Sequence, residues 1–573
     1  MIGENPMAYR LEHPKPQFMR ENWRNLNGTW DFEFDHGDSG LQRGMSAPDA
    51  PYSLKIEVPF CPQSKLSGIE YKDFMYAVWY RRKINLSKEE LSGRVFLHFG
   101  AVDYHAEIFV NGKKCGEHKG GYVSFKVDIT DFVSEGENTL TVCAHDNERN
   151  HYTPCGKQSR EYYSHGCDYT RTTGIWQTVW LEFVPLARIE KVKYITDAAT
   201  GTVSILADVL GSGTLKAKAN FEGREMGEAS AEVLNNGQVL LTIKLAEKHL
   251  WEIGVGGLYD LELTFASDKV LSYFGLRSID YSEKKFRLNG RSVFQRLILD
   301  QGFWPDGVYT APSDAELAAD VDRCMAMGFN GARLHQKVFE ERFLYHADKK
   351  GYLVWGEYPN WGLDHTYADS VYGILPEWLE EIERDFNHPS IVGWCPFNET
   401  WNIDGKQQFD PLLDLVYRAT KAADPTRPCI DTSGNYHVIT DIYDIHDYEQ
   451  NPEIFAAHYE NLDKGKVINC CDDRQSYDGK LPLFVSEYGG IRWTDDSSGW
   501  GYGDAPKTEE EFLARLKGLT DALLDNPYIF ALCYTQLTDV EQEQNGLYTY
   551  DRRAKFPPEV IAPIFSRKAA IED

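Results

Sequence analysis

Basic residues are scarce beside acidic ones in this chain of 573 residues: 60 Lys and Arg stand against 88 Asp and Glu, a formal net charge of −28 at pH 7. Such a surface repels a phosphate backbone, so nucleic acid is not an expected partner. The plain consequence of the charge is solubility. Long apolar runs are also missing. No stretch of about 18 apolar residues occurs, so no membrane span is expected. The opening Met1–Phe18 segment lacks a basic start followed by an apolar core, the mark of a signal peptide. The 11 cysteines are odd in number and irregular in spacing, without a C-x-x-C pair, and Cys470 and Cys471 are adjacent. That pattern supplies neither a disulfide framework nor a zinc site. The chain therefore reads as a reduced, cytoplasmic protein. No Gly-rich phosphate loop and no compact acidic or histidine cluster is evident, so no nucleotide cofactor and no metal is expected.

What is present is apolar and aromatic: 42 % hydrophobic residues, with 14 Trp and 33 Tyr. That suffices for ordinary packed cores. Sugars offer flat C–H faces that pack on rings, so the aromatic excess suits a carbohydrate protein. It suits a large β-rich core equally well. At roughly 100–200 residues per domain, the length suggests about three domains.

The first third alternates apolar and polar residues in short runs, such as 94–100, 106–113, 138–143 and 178–184. Asn111-Gly112 is a hairpin signal. Many short strands closed by frequent turns predict a jelly-roll β-sandwich over residues 1–185. A second series of strands, at 191–195, 202–206, 239–243 and 259–263, predicts a small immunoglobulin-like β-sandwich over 186–281. After residue 282 the pattern changes to alternating strands and helices. Strands are expected at 292–297, 329–335, 352–355, 391–394, 428–431, 441–446, 483–486 and 529–533. Helices are expected near 314–327, 339–350, 376–387, 408–423 and 508–525. Eight such units predict a (β/α)8 TIM barrel over 282–573.

Functional residues of such a barrel gather at the C-terminal ends of its strands. The fourth strand leads into Glu399 and the seventh ends at Glu487. Both acids leave the top of the barrel from roughly opposite sides and can face each other across its mouth. Two carboxyl groups about 5–5.5 Å apart are what a retaining glycoside hydrolase needs. A lone Glu at a strand end would more often be a surface ion pair, so the surrounding motifs matter.

Those motifs are Thr173-Gly-Ile-Trp-Gln-Thr-Val-Trp180, Phe286-Arg-Leu-Asn-Gly290, Met327-Gly-Phe-Asn-Gly-Ala-Arg333, His388-Pro-Ser-Ile-Val-Gly-Trp394 with Asn398-Glu399, and Ser486-Glu487-Tyr488-Gly489. Together with the domain order, they resemble glycoside hydrolase family 2 of clan A, which includes β-galactosidases, β-glucuronidases and β-mannosidases. The resemblance spans about residues 20–555. It implies an exo-acting retaining enzyme with Glu399 as acid/base and Glu487 as nucleophile. It further implies that Asn398 holds the sugar 2-hydroxyl and that Arg333 keeps the nucleophile charged. Asp168, in a loop of the first domain, matches an acid that reaches the sugar. His446 and Tyr448 end the sixth strand, where the family places a tyrosine beside the nucleophile. Glu357 ends the third strand, where it can pair with Arg333 or His335. Trp304, Trp361 and Trp500 sit in barrel loops as candidate stacking residues. The implied partner is a glycoside or oligosaccharide, and many members are homo-oligomers.

The sequence departs from the family in the sugar pocket. Leu299-Asp-Gln-Gly-Phe-Trp-Pro305 replaces a His-rich segment, and Tyr534-Thr-Gln-Leu-Thr538 follows the eighth strand where a Trp is frequent. The Asn-x-Lys pair of glucuronidases is replaced by Glu541-Gln-Glu-Gln-Asn-Gly546. A neutral, β-galactose-like unit or an α-L-arabinopyranoside is the first expectation. A β-glucuronidase or β-galacturonidase is the alternative, with Arg552 as a substitute cation. A non-catalytic carbohydrate-binding protein is the alternative of another class.

Overall fold

The computed structural model describes residues 9–468, 474–496 and 498–573. Residues 1–8 of the leader reading, and the adjacent Cys470 and Cys471, lie outside them. The nine described cysteines are free thiols. No helix among the described residues is long and apolar enough to cross a membrane.

The first third forms two antiparallel sheets. The larger has six strands, with Gly136–His145 paired between Ala77–Leu86 and His105–Val110. The smaller has four, with Val179–Val184 between Trp23–Asn25 and Arg94–Phe99. Leu140, Val142 and Ala144 point inward to meet Leu97, Phe99 and Leu181. The opposite face carries Cys143 and Phe109 against Trp79 and Met45. Asn111 and Gly112 both have positive φ at the His105–Val110 to Lys113–Lys119 turn, as the Asn-Gly signal predicts.

The second unit pairs a three-stranded with a four-stranded sheet. Thr202–Leu210 is a clean case of alternation: Val203, Ile205, Ala207 and Val209 are buried and their neighbours half-exposed. Gly213–Phe221, Arg224–Val233 and Asp268–Gly275 are strands of this unit that the sequence reading did not mark.

The remainder is a parallel sheet of seven strands in the order fourth, third, second, first, eighth, seventh, sixth. These are Ile391–Cys395, Leu353–Glu357, Gly331–Leu334, Gln295–Asp300, Ile529–Thr535, Leu483–Gly489 and Tyr443–Asp447. Each is almost wholly buried, as strands covered on both faces must be. Helices Asp314–Ala326, Glu341–Lys350, Val371–Asp385, Asp410–Ala423 and Glu509–Leu524 cover them. Ser313 and Thr508 cap two of these helices by accepting from the N–H groups of Glu316 and Glu511.

Two expectations need correction. The first strand lies at Gln295–Asp300, later than 292–297, because Arg291–Ser292 is taken into a hairpin with Arg287–Leu288. The fifth strand is not a ladder. It survives as two isolated parallel bridges, Trp394 with Cys429 and Asn398 with Ser433. Pro428 has no N–H to give. The Cys429 N–H goes to the Asp441 carboxylate at 2.9 Å, and the Asp431 carboxylate draws in the N–H groups of Val438 and Ile439.

The first domain docks on the barrel mouth. Glu377 of the barrel accepts the N–H groups of Tyr122 and Val123 at 2.6 and 3.1 Å. The loop following Gly136–His145 runs over the strand ends. There Gly156, at φ +56°, lies so close that a β-carbon would sit 2.3 Å from the Gln336 carbonyl oxygen. Only glycine allows that approach.

Candidate active site

Glu399 follows the fourth strand and Glu487 lies within the seventh. An oxygen of each lies within 4.8 Å of the other. Glu399 has φ +48°, a left-handed conformation uncommon for a side chain of this size. Its N–H donates to the Ser433 carbonyl at 2.8 Å, so one of the two surviving fifth-strand bridges holds that backbone in place.

Arg333, at the end of the second strand, is 1 % exposed. Its Nη1 lies 3.3 Å from Glu487 Oε1, its Nη2 donates to Asn398 Oδ1 at 3.1 Å, and its Nε pairs with Glu357. Glu357 also meets His335 Nδ1 at 3.1 Å, so it takes both expected partners. Burial pushes the Glu357 carboxyl up, against the opposing charge of Arg333. Burial likewise drives His335 well below the ordinary imidazole range, and the charge of Lys157 adds to that. Tyr448 Oη donates to Glu487 Oε2 at 2.6 Å and meets Thr535 Oγ1 at 2.9 Å. The backbone of Asn398 is fixed by Asn360 and by Trp361 Nε1. Its Nδ2 is buried without a hydrogen-bond partner among the described residues.

His446 stands between the two acids. Its Nδ1 is 2.8 Å from Glu399 Oε1 and 3.3 Å from Glu487 Oε2. Its Nε2 is 2.9 Å from Ser433 Oγ. Burial opposes its charge, but Glu487 and Glu399 outweigh burial and raise its pKa above the ordinary 6.5. Burial would raise Glu399 too. The His446 hydrogen bond and charge, then Lys157 and His335, outweigh it and hold Glu399 down at about 2.

The first domain contributes Lys157 and Asp168. Asp168 and Glu399 both line a cavity of about 250 Å³, together with Trp361 and Trp401. Burial pushes the Asp168 carboxyl up, and Lys157 pulls it back. Lys157 is 5 % exposed and sits 3.8 Å over the Trp361 ring. Burial disfavours its charge, but Cys167, Glu543, Glu399 and Glu487 keep it protonated. It forms no ion pair with a described carboxylate, since those acids have other partners. Glu543, from the acidic stretch after the eighth strand, accepts from Tyr169 Oη at 2.5 Å and from Asn545 at 3.2 Å. Trp500 donates to the Gly166 carbonyl at 2.6 Å and meets the Tyr502 ring edge-on, and Tyr502 stacks on Tyr448.

The structure thus gathers Glu399, Glu487, Asn398, Arg333, His335, Glu357, His446 and Tyr448 around one mouth, with Asp168 and Trp500 at its rim. Trp304 lies elsewhere: it is buried under the Arg552 guanidinium at 3.7 Å. Arg552 is spent on that ring, on the Phe303 carbonyl and on Asp320, so it is not the substitute cation. Lys157, Glu543, Tyr502 and Ser433 were missed. Lys157 carries no motif, and its place follows only from a loop folding back onto another domain.

Among the described residues two groups have donor atoms close enough to hold an ion: Glu399–His446–Glu487 and Glu107–Cys143–His145. The second is on the outer face of the first domain, where Lys114 and Asp38 already pair with its members. Larger cavities, of about 340 and 720 Å³, are lined by residues of the second domain and the barrel, the larger also by His13, Pro16 and Met19, and neither Glu399 nor Glu487 lines them.

Residues 23–185 match the sugar binding domain of glycosyl hydrolases family 2, and residues 317–498 match the TIM barrel domain of the same family. A putative β-glucuronidase of Formosa agariphila is 26 % identical over 72 % of this chain and 50 % of its own length. The rat β-glucuronidase is 26 % identical over 70 % of this chain and 67 % of its own. A β-galactosidase of Thermoanaerobacter pseudethanolicus is 27 % identical over 70 % and 53 %. The chain thus spans about half the length of two of these relatives. A solved β-glucuronidase of Lactobacillus rhamnosus superposes with a TM-score of 0.79 at 20 % identity, covering 96 % of this chain and 98 % of that one. That likeness is one of fold. With two matching domains, the chain belongs to glycosyl hydrolases family 2.

Proposed function

We propose that this protein is a retaining exo-glycosidase, with Glu399 as acid/base and Glu487 as nucleophile. One observation carries the reading: two carboxylates from distant segments approach within 4.8 Å across one mouth. That separation suits direct attack by one acid and is too short to hold a water between them. Glu487 attacks the anomeric carbon while Glu399 protonates the departing oxygen. A glycosyl ester forms on Glu487, and water deprotonated by Glu399 then releases the sugar. The orphaned Nδ2 of Asn398 is a ready donor for the sugar 2-hydroxyl. Arg333 and Tyr448 each donate to Glu487 and hold its carboxyl group oriented.

For the sugar, the charge count favours a neutral unit. Three buried acids, Glu357, Glu487 and Glu543, and the half-buried Glu399 surround three cations, Arg333, Lys157 and His446. A uronate would add an anion to an already acidic pocket. Glu543 and Lys157 together offer an acceptor and a donor, which a hydroxyl can satisfy at once. A galactoside or an α-L-arabinopyranoside is the first reading. A uronide is the second, supported by the ammonium of Lys157, which no ion pair occupies, and by the glucuronidases among the relatives.

A panel of nitrophenyl glycosides with the purified protein tests this. A 2-fluoro analogue of the best substrate should label Glu487. Failure to hydrolyse any glycoside, with Glu399→Gln unaltered in sugar binding, would instead support a carbohydrate-binding protein.

A further inference from the structure

The low pKa of Glu399 poses a question of proton supply. An acid that must protonate a leaving group is held ionised in the resting site. The hydrogen-bond partners point to where the proton rests. Ser433 Oγ donates its single hydrogen to Asp444 Oδ2 at 2.6 Å. Ser486 Oγ also donates to Asp444 and lies 3.3 Å from Ser433, and a Ser433 that donates to Asp444 offers its lone pair to an Nε2–H of His446 at 2.9 Å. His446 Nδ1 faces only carboxylate oxygens, those of Glu399 and Glu487, and a proton there serves both when they are ionised. With both ring nitrogens protonated in this way, the side chain is an imidazolium. Its niche is prepared: a β-carbon on Gly434 would lie 2.3 Å from His446 Nδ1.

From this geometry we infer that His446 is the proton store of the acid/base, lending its Nδ1 proton to Glu399 when a glycoside enters and taking it back after hydrolysis. The inference rests on the glycosidase reading above. The resting pair is Glu399 carboxylate with His446 imidazolium. A sugar filling the mouth removes water, and a neutral pair then costs less than two buried charges. The Nδ1–H bond breaks and the Glu399 Oε1–H bond forms, leaving neutral imidazole. Glu399 passes that proton to the glycosidic oxygen as the C1–O bond breaks and Glu487 closes its ester. In the second half, water attacks C1, its proton goes to Glu399, and the Glu487 ester opens. Glu399 then returns the proton to His446, so atoms and charge balance over the cycle. During the ester stage His446 is neutral, which leaves Glu399 more basic when it must act as a base.

Every neighbour bears on this equilibrium. Glu399, Glu487, Glu357 and Asp444 favour the imidazolium, while Arg333, Lys157 and a charged His335 would oppose it. In this scheme His446 contacts Glu399 and Glu487, and it acts on the glycoside through Glu399.

The test uses the full chain and aryl glycosides of the sugar that the wild type hydrolyses, from phenyl to 2,4-dinitrophenyl. His446→Asn keeps an amide donor near Nδ1 but cannot store a proton. It should lower kcat/KM for poor leaving groups by about 10²–10⁴-fold, the usual worth of general acid catalysis. The 2,4-dinitrophenyl glycoside, which needs little protonation, should change far less. The basic limb of the kcat/KM profile, set in the wild type by the Glu399–His446 pair, should move to lower pH. Ser433→Ala removes the acceptor at Nε2 and should move that limb the same way by a smaller amount, which covers the case of His446→Asn failing to fold. Equal losses for all leaving groups, or an unmoved basic limb in both variants, would overturn the inference. A wild type inactive on every glycoside would instead bring down the glycosidase reading beneath it.

Discussion

Tyr448 donates to Glu487 at 2.6 Å, and its ring lies flat on Tyr502 with centroids 3.5 Å apart. The hydroxyl restrains one oxygen of the proposed nucleophile, and the stack fixes the hydroxyl. Tyr448→Phe removes a hydrogen bond to a charged group, worth about 1.5–3 kcal/mol. If that bond is made in the transition state, kcat/KM should fall by about ten- to a hundredfold. Steady-state kinetics checks this, and an unchanged kcat/KM would deny Tyr448 any part in orienting Glu487.

The imidazolium–carboxylate contact also makes stability depend on pH. His446 has a raised pKa, so its contribution is full below 6.5 and fades as pH climbs through the raised value. Glu399 has a lowered pKa, so its contribution is present above 4.5 and fades as pH falls toward about 2. Both act between pH 4.5 and 6.5. The Tm difference between wild type and His446→Asn should peak in that window and shrink on either side. A difference that stays flat from pH 4 to 9 would contradict the pairing.

In the proposed reading the pocket acids and Lys157 select the sugar. With a neutral preferred substrate, Glu543→Gln should cost about ten- to a hundredfold in kcat/KM through a lost charged hydrogen bond. Lys157→Met should then hurt the neutral substrate without creating a uronidase. A wild type faster on a glucuronide or galacturonide than on a galactoside, with that activity removed by Lys157→Met, would reverse the order of the two readings.

Arg20 joins the two β-domains. Its Nε and Nη2 hold Asp268 at 2.8 and 2.9 Å, and its Nη1 is 3.2 Å from Glu182. All three residues are buried. Arg20→Met would leave two buried acids short of a partner, at a cost of about 3–5 kcal/mol. Thermal unfolding should begin at a clearly lower temperature, while KM below that transition stays the same. An unchanged melting profile would show that the junction does not depend on this cation.

Much of the architecture was legible because local patterning and burial agree. Thr202–Leu210 alternates in sequence and in exposure. Asp314–Ala326 lies between a serine cap and Gly328, as its pattern predicts. The barrel strands are buried along almost their whole length and lie between helices, the signature of a sheet covered on both faces. The fifth strand failed for a local reason: its apolar residues follow a proline, and side-chain carboxylates compete for the nearby N–H groups. No periodicity reports that competition.

The positions of Glu399, Asn398 and Arg333 at strand ends, and of Glu487 in the C-terminal half of its strand, follow from the sequence, because strand direction and barrel closure fix which end of each strand faces the mouth. The sequence equally determined the acidic surface and the order of the three units. Only the tertiary structure placed Lys157 over Trp361, set Glu543 against Tyr169, and put the His446 ring between two acids. Those contacts join segments distant in the chain. Their energies depend on distance, burial and competing partners, and none of these is set until the domains have packed.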